Sequence, residues 1–188
     1  VSAYYRKHND HYVYSRENPS AFQAFHETQV KSLAVSGRHA QTESIAVNYS
    51  AQYIEDSIDS TTLENNFTSR NYFKLSVLPE YTTTLASNQQ LTVRLGAAFD
   101  NTSRDDSELS LIGDVSFNTQ NNDGTERTLY LSYAEASQVA GYTAIGGSES
   151  GGLFRSNANL ERETTKSLEL GLLLEQQSWQ LNSALFYR

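Results

Sequence analysis

Apolar and polar residues alternate along much of this chain with the two-residue period of a β-strand. Each alternating stretch gives roughly 9–11 residues of strand with one apolar and one polar face. No sustained stripe with the i, i+3, i+4, i+7 spacing of a helix is present. The pattern therefore predicts an all-β protein. The clearest stretches are residues 45–53, 91–99, 109–117, 168–175 and 179–188.

The apolar faces of these stretches hold no charged residue, although 19% of the chain is charged. A lipid-facing surface requires this, because a Lys or Arg at the middle of a bilayer costs about 2–4 kcal/mol. The interior of a β-sandwich excludes charge as well. The absence of charge therefore predicts one-sided strands and leaves both environments open.

The connections between the strands alternate in length. Short turns are predicted near residues 39–42, 87–89, 121–124 and 176–178, and long polar connections near residues 7–25, 55–69, 101–108 and 138–163. This order is typical of an outer-membrane barrel, with tight turns at one end and extended loops at the other. It predicts an antiparallel meander of about nine strands. Because bacterial single-chain barrels have an even number of strands, we expect an open segment of a larger transmembrane β-barrel.

Composition excludes several other classes of protein. The 188 residues include no cysteine, which removes disulfide and thiol chemistry, and the net charge of -8 argues against nucleic acid as a partner. No serine lies in a Gly-x-Ser-x-Gly elbow, so we expect no enzymatic activity and no cofactor. The group His8, Asp10, His11 and His26 and the group Asp105, Asp106 and Glu108 are weak metal candidates, and neither is predicted to be a metal site.

The last sixty residues carry a more specific pattern. A strand end with Tyr133, Ala136 and Gly141-Tyr142 is followed by a glycine-rich stretch at residues 151–154. The next segment ends with "LFYR". Its motif residues are Asn157, Leu160, Glu163, Glu169 and Gly171.

In these residues the chain resembles the barrel of TonB-dependent outer-membrane receptors, and residues 4–28 are similar to a strand-and-loop pair in cobalamin-receptor-like members. Ala158 and Arg162 depart from the family pattern, which usually has proline there, and Leu168 stands where an aromatic residue is usual.

The resemblance implies a barrel of twenty-two strands around a plug domain, in the bacterial cell outer membrane. It implies uptake of a scarce solute of the siderophore, cobalamin or carbohydrate class, driven by the TonB energy-transducing complex. Residues 1–188 would form part of the barrel domain, with the plug, the TonB box and the C-terminal strands outside this segment. The expected partners are outer-membrane lipid, the plug of the same parent chain, the TonB complex and the small-molecule solute.

We expect solute binding at the mouths of the first and fourth long connections, where aromatic faces and a few directed polar groups occur together. Within the motif, Asn157 is expected to hold a turn, Glu169 to face the lumen and Gly171 to remove bulk where the plug would pack. The candidate ligand-binding residues are Tyr12, Tyr14, Arg16, Asn18 and Phe22 in the first connection and Tyr142, Phe154 and Arg155 in the fourth.

Two other functions remain open on the sequence. A secreted or surface β-sandwich for adhesion or carbohydrate binding would also have one-sided strands. A barrel with enzymatic or simple porin function fits less well, because no catalytic group of serine, histidine and aspartate can be assembled from the sequence.

Overall fold

The computed structural model describes residues 1–63, 67–121, 123–147 and 156–188. They form nine β-strands and one short helix. The elements are β1 (Ser2–Val13), β2 (Gln23–Ala40), β3 (Ile45–Ser60), β4 (Ser69–Ala86), β5 (Gln89–Thr102), β6 (Glu108–Gln120), β7 (Glu126–Gln138), α1 (Tyr142–Gly146), β8 (Glu163–Gln176) and β9 (Trp179–Tyr187).

All nine strands belong to a single sheet in which each strand pairs with its neighbours in sequence. Every one of the eight pairings is antiparallel. The predicted all-β antiparallel meander is therefore confirmed. The sheet is open, with β1 and β9 at its two edges, and it differs from the two facing sheets that the β-sandwich alternative expects.

The connections at one end of the sheet, which we call the turn side, are residues 41–44, 87–88, 121–125 and 177–178. In the first turn the Thr42 hydroxyl accepts a hydrogen bond from the backbone N–H of Ile45 at 3.0 Å. In the third, Gly124 has a φ of 80°, which a side chain would disfavour. There the Asp123 carboxylate accepts the N–H of Thr125 at 2.9 Å, and this bond lowers the pKa of Asp123.

The connections at the other end, the loop side, are residues 14–22, 61–68, 103–107 and 139–162. They are shorter than predicted because β1, β3 and β5 continue beyond the point where apolar residues stop. The prediction of strictly alternating lengths is wrong at one place, since 103–107 and 121–125 have five residues each. The predicted loop placement of His8, Asp10, His11 and Tyr12 is also wrong, because these residues lie in β1, and His26 lies in β2.

The helix α1 was not predicted. It has five residues and follows Gly141, whose φ of -68° and ψ of 161° are extended, with no side-chain cap. Such a short segment cannot show a helical period, so the sequence contains no signal for it. No helix in the described residues has the length and apolar character to cross a membrane.

The sheet has one apolar and one polar face, and neither is covered by a second sheet among the described residues. Large apolar side chains remain open, with Leu95 at 65% and Leu111 at 56% of their full accessibility. Within the described ranges, six hydrophobic residues are buried: Ala24, Ala46, Ile58, Val139, Tyr142 and Ile145. Three of these six belong to the 139–162 connection rather than to the sheet, so the strands do not enclose a core of their own.

Candidate functional site

The apolar face continues without interruption from strand to strand. One row of directly paired residues crosses seven strands and contains no polar residue: Ile45, Tyr81, Val93, Val115, Leu131, Leu170 and Leu185. Because these pairs are in register, the apolar stretches seen separately in the sequence join into one surface. We call the part of this face without charged residues the apolar band.

The apolar band runs obliquely to the rows of paired residues. Ile45 lies at the turn-side end of its apolar stretch, four residues from the middle of 45–53. At the far end of the row, Leu185 lies two residues to the loop side of the middle of 179–187. The row therefore moves six residues in six strand-to-strand steps. At ~3.3 Å per residue and ~4.8 Å between strands, the strands are inclined by about 35° to the normal of the band.

Aromatic residues mark both margins of the apolar band. Trp179 and Tyr187 stand at the two ends of β9, eight residues apart on the same face. With the inclination just described they are separated by ~22 Å across the band. The other turn-side aromatic residues are Tyr81 and Phe117, and the loop-side ones are Tyr5, Tyr53, Phe73, Phe99 and Tyr133.

Charged residues of the apolar face appear beyond the loop-side margin as ion pairs between neighbouring strands. Lys7 lies 2.8 Å from Glu27, and Lys31 lies 3.7 Å from Glu55. A third pair joins Lys166 of β8 to Glu135 of β7 at 3.2 Å. The face therefore changes from uncharged to charged within about one residue pair of the aromatic margin.

The polar face carries hydroxyl, amide and charged groups that pair across strands. Arg94 of β5 contacts Asp114 of β6 at 2.9 Å. Glu80 of β4 accepts from Arg38 at 2.6 Å and from the amide of Asn48 at 3.1 Å. The charges of Arg94, Asp114 and Glu80 are thus paired with opposite charges on other strands of the sheet. In the part of the chain that the structure describes, no set of three or more His, Asp or Glu side chains could hold a metal ion.

Gly171 and Glu169 of the family motif lie on this polar face and act together with Tyr130. The Tyr130 hydroxyl donates to Glu169 at 2.6 Å. A Cβ at position 171 would lie 2.0 Å from Cζ of Tyr130, so the Tyr130 ring occupies the space that the glycine leaves. We expected a plug domain to use that space, and within the described chain a side chain takes it instead.

The first-loop candidates for ligand binding form an exposed segment on the loop side. Tyr12 ends up in β1 at 47% exposure, while Tyr14 at 60% and Phe22 at 48% flank the connection. The backbone of Tyr14 donates to that of Phe22 at 3.2 Å and closes the loop. Between them, Asn18 accepts from Ser20 at 2.9 Å, and Arg16 is exposed.

The fourth-loop candidates are placed differently. Tyr142 is only 8% exposed, in α1, and Phe154 and Arg155 lie outside the described residues. No hydrogen bond or ring contact between described residues joins Tyr142 to the first-loop candidates. Among the described residues, Tyr142 is therefore not brought into contact with the first-loop candidates.

Tyr142 instead contacts the sheet. Its hydroxyl lies 2.6 Å from Oδ1 of Asp56, and Nε of Arg70 lies 2.9 Å from both oxygens of the same carboxylate. The Arg70 guanidinium stacks over the Tyr142 ring at 4.4 Å and donates to the carbonyl of Ala140 at 2.9 Å. Burial first, and then the bond to Asp56, raise the pKa of Tyr142 above its usual range. We call Asp56, Arg70 and Tyr142 the Asp56 anchor.

The remaining motif residues lie at the end of the same connection. Asn157 holds a turn as expected, because its side-chain oxygen accepts the N–H of Asn159 at 2.9 Å. Its own N–H donates to the carbonyl of Ala144 at 2.9 Å, which joins this turn to α1. Leu160 is 39% exposed, and Glu163 begins β8 opposite Gln138.

Asp56, Arg70 and Asp100 were not singled out from the sequence, and Arg162 was noted only as a departure from a family proline. The alternation places Asp100 on the polar face, whereas Asp56 falls in the connection predicted near residues 55–69 and Arg70 directly follows it. No local pattern shows which distant segment these residues contact. Comparisons of the chain with protein-family models, with curated proteins and with solved structures returned no match.

Proposed function

We propose that this chain forms part of the wall of a transmembrane β-barrel in the bacterial outer membrane, in a receptor of the TonB-dependent class. The observation that carries the proposal is the exposed apolar band, which crosses the sheet without a charged residue. In water such a surface would be large enough to cause association, whereas in a bilayer it is the face that the lipid requires.

Three features of the band support a bilayer as its surroundings. An inclination of about 35° agrees with the 35–45° tilt of strands in outer-membrane barrels. The separation of ~22 Å between Trp179 and Tyr187 is close to the ~25 Å apolar height of such barrels, which have aromatic belts at both interfaces. The Lys–Glu pairs begin where lipid headgroups would lie.

The edges of the sheet support a larger wall. β1 runs from the turn side to the loop side, and β9 runs in the same direction. Two copies of the sheet joined β9 to β1 in one membrane would therefore pair in parallel, unlike all eight pairings within the sheet. Each edge instead requires a strand of opposite direction, and unpaired edges are not tolerated in lipid.

The receptor class rests on the resemblance of residues 130–188. In that class the wall surrounds a plug, and the TonB complex delivers the energy for uptake of a siderophore, cobalamin or carbohydrate. The exposed 14–22 connection, with Tyr14, Arg16, Asn18 and Phe22, is the part of this chain that would meet the solute first.

Leu170→Arg tests the lipid assignment in the complete barrel protein. Leu170 is 48% exposed on the apolar face, so an arginine has room and should be harmless if the face meets water. In lipid we expect the substitution to cost about 2–4 kcal/mol and to reduce the yield of folded, heat-modifiable protein after refolding into liposomes.

The matched control is Glu169→Gln, one residue away on the polar face. A glutamine can still accept the hydrogen bond of Tyr130, so this variant should refold like the unaltered protein. Equal refolding of both variants would show that the apolar face does not contact lipid.

A further inference from the structure

The described parts of the 139–162 connection, residues 139–147 and 156–162, lie against the polar face of the sheet. They contain Val139, Tyr142 and Ile145, which are 5%, 8% and 2% exposed, and β3 contributes Ile58 at 8%. The connection starts at β7 and returns to β8, but its described residues reach β3, β4 and β5 on the polar face. From β7 to β3 is four strand-to-strand steps, or ~19 Å at ~4.8 Å each.

The first part of the connection is held by the Asp56 anchor. Asp56 belongs to β3 and Arg70 to β4, and their side chains are only 15% and 12% exposed. Arg70 uses one nitrogen for the carboxylate and another for the carbonyl of Ala140, while Tyr142 bonds the same carboxylate. Asp56 and Arg70 pair with each other within the sheet, and each side chain also makes one hydrogen bond to the connection. Buried polar networks of this kind are rigid when fully satisfied.

The end of the connection is held by a second set of contacts around Arg162, whose side chain is 8% exposed. Its guanidinium contacts Asp100 of β5 at 3.2 Å, the hydroxyl of Ser137 at 3.0 Å and the carbonyl of Asp106 at 2.8 Å. Asp100 also pairs with Lys74 of β4 at 2.7 Å. We call Arg162, Asp100 and Ser137 the Arg162 anchor.

A third contact lies between the two anchors. The Arg104 guanidinium donates to the carbonyl of Ala158 and lies 5.0 Å from the Phe67 ring centroid. Residues from the 61–68 and 103–107 connections thus also contact the segment. The two ends of the 139–162 connection are thus fixed to the loop-side ends of β3, β4 and β5. Ala158, between them, is fixed to Arg104 of the 103–107 connection.

We propose that the described parts of the 139–162 connection, residues 139–147 and 156–162, form a fixed constriction, folded onto the polar face and held there by the Asp56 and Arg162 anchors. It narrows the loop-side entrance and limits the size of molecules that reach the polar face beyond it. The position of the constriction follows from the anchors alone, whereas its action on an entering solute rests on the proposed barrel.

The 188 residues contain no cysteine, so single cysteine reporters can be placed in them, with any cysteine elsewhere in the complete protein replaced by serine. Ile145→Cys places a thiol at the covered position, and Thr143→Cys places one on the exposed side of the same helix. With a membrane-impermeant maleimide, Ile145→Cys should react at least about tenfold more slowly than Thr143→Cys, because it reacts only after local opening.

Breaking an anchor should make the cysteine at position 145 more accessible to the maleimide. Asp56→Ala should accelerate labelling of Ile145→Cys at least about tenfold and leave Thr143→Cys unchanged. Lys31→Met is the matched control, since it removes an ion pair between the adjacent strands β2 and β3 without touching the connection. Should Asp56→Ala fail to fold, Tyr142→Phe removes only the hydroxyl donor and should accelerate labelling in the same direction.

Equal labelling of the two reporters in the unaltered background, or no acceleration in either anchor variant, would overturn the fixed constriction. These rates are measured on folded protein and do not depend on which face meets lipid. They therefore remain informative if the Leu170→Arg experiment refutes the barrel.

A second reporter tests the size limit. Ser76→Cys lies on the polar face of β4, six residues further toward the turn side than Arg70. Small thiol reagents added from the loop side should label it, bulky polymer-linked reagents should not, and Asp56→Ala should admit both. Labelling by both sizes in the protein with intact anchors, or continued exclusion of the bulky reagents in Asp56→Ala, would show that the connection does not set the limit.

Discussion

Gly171 lies on the polar face of β8 between Glu169 and Leu173, with the ring of Tyr130 over it. The glycine leaves a strand position without a side chain, and the aromatic residue of the neighbouring strand covers it. This arrangement also directs the Tyr130 hydroxyl to Glu169. The sequence shows the glycine and its alternation, but it does not show that Tyr130 is the residue opposite, because the register between β7 and β8 depends on a connection of 24 residues.

Gly171→Ala should destabilise the protein, although alanine is ordinarily better than glycine in a strand by about 0.5–1 kcal/mol. The new Cβ would lie 2.0 Å from Tyr130 Cζ, so the ring must turn away and lose its bond to Glu169. We expect a net loss of about 1–2 kcal/mol, measured by urea unfolding of the protein in liposomes.

The effect of Gly171→Ala on stability should change sign when the Tyr130 ring is absent. In a Tyr130→Ala background the same Gly171→Ala change removes no contact and should be neutral or stabilising. If Gly171→Ala costs the same in both backgrounds, the ring of Tyr130 is not what requires a glycine at this position.

At the scale of single elements, the strands could be predicted and the longest connection could not. The apolar half of each strand was visible in the sequence, because its side chains alternate. The polar extensions of β1, β3 and β5 were mistaken for loops, since residues such as Glu55 and Asp56 are polar on both faces although their backbone stays paired. The path of the 139–162 connection depends on contacts 70 and 86 residues apart, between Arg70 and Ala140 and between Asp56 and Tyr142. No local pattern encodes contacts of that kind.

The attachment of α1 through Tyr142 makes the stability of the folded connection depend on pH. The raised pKa of Tyr142 means that the folded connection favours the neutral phenol. Its contribution to stability is complete below the ordinary tyrosine pKa of about 10 and falls as the pH rises from there toward the raised value.

Absorbance at 295 nm measures this directly. Between about pH 9 and 11, the folded protein and its Tyr142→Phe variant should gain the same absorbance, because Tyr142 does not ionise in that range. In denaturant, the unaltered protein should gain more absorbance than the Tyr142→Phe variant, by the amount that one ionising tyrosine contributes. A difference of one tyrosine already in the folded state would mean that Tyr142 is open to water and that the Asp56 anchor is not formed.

For the molecule as a whole, the nine-stranded sheet neither covers its apolar face nor pairs its two edge strands. Its apolar band is exposed, and both β1 and β9 present unpaired backbone groups. The buried hydrophobic residues of the described chain number only six, and one of them, Ala46, lies at the turn side, so they are too few and too scattered to hold 188 residues in one cooperative unit. In addition, the two edges run in the same direction, so the sheet cannot close on itself with antiparallel pairing.

The 188-residue chain expressed alone should therefore not form a soluble monomer. We expect it to aggregate in buffer and, after refolding into liposomes, to show no heat-modifiable, protease-resistant species, because free edges remain in the bilayer. Within the proposed barrel the same residues should give such a species, which makes the complete protein the control. Size-exclusion chromatography with light scattering and protease digestion would distinguish these states. A chain that is monomeric in buffer and unfolds cooperatively would contradict both the lipid-facing band and the need for partner strands, because a water-soluble sheet must cover that face by itself.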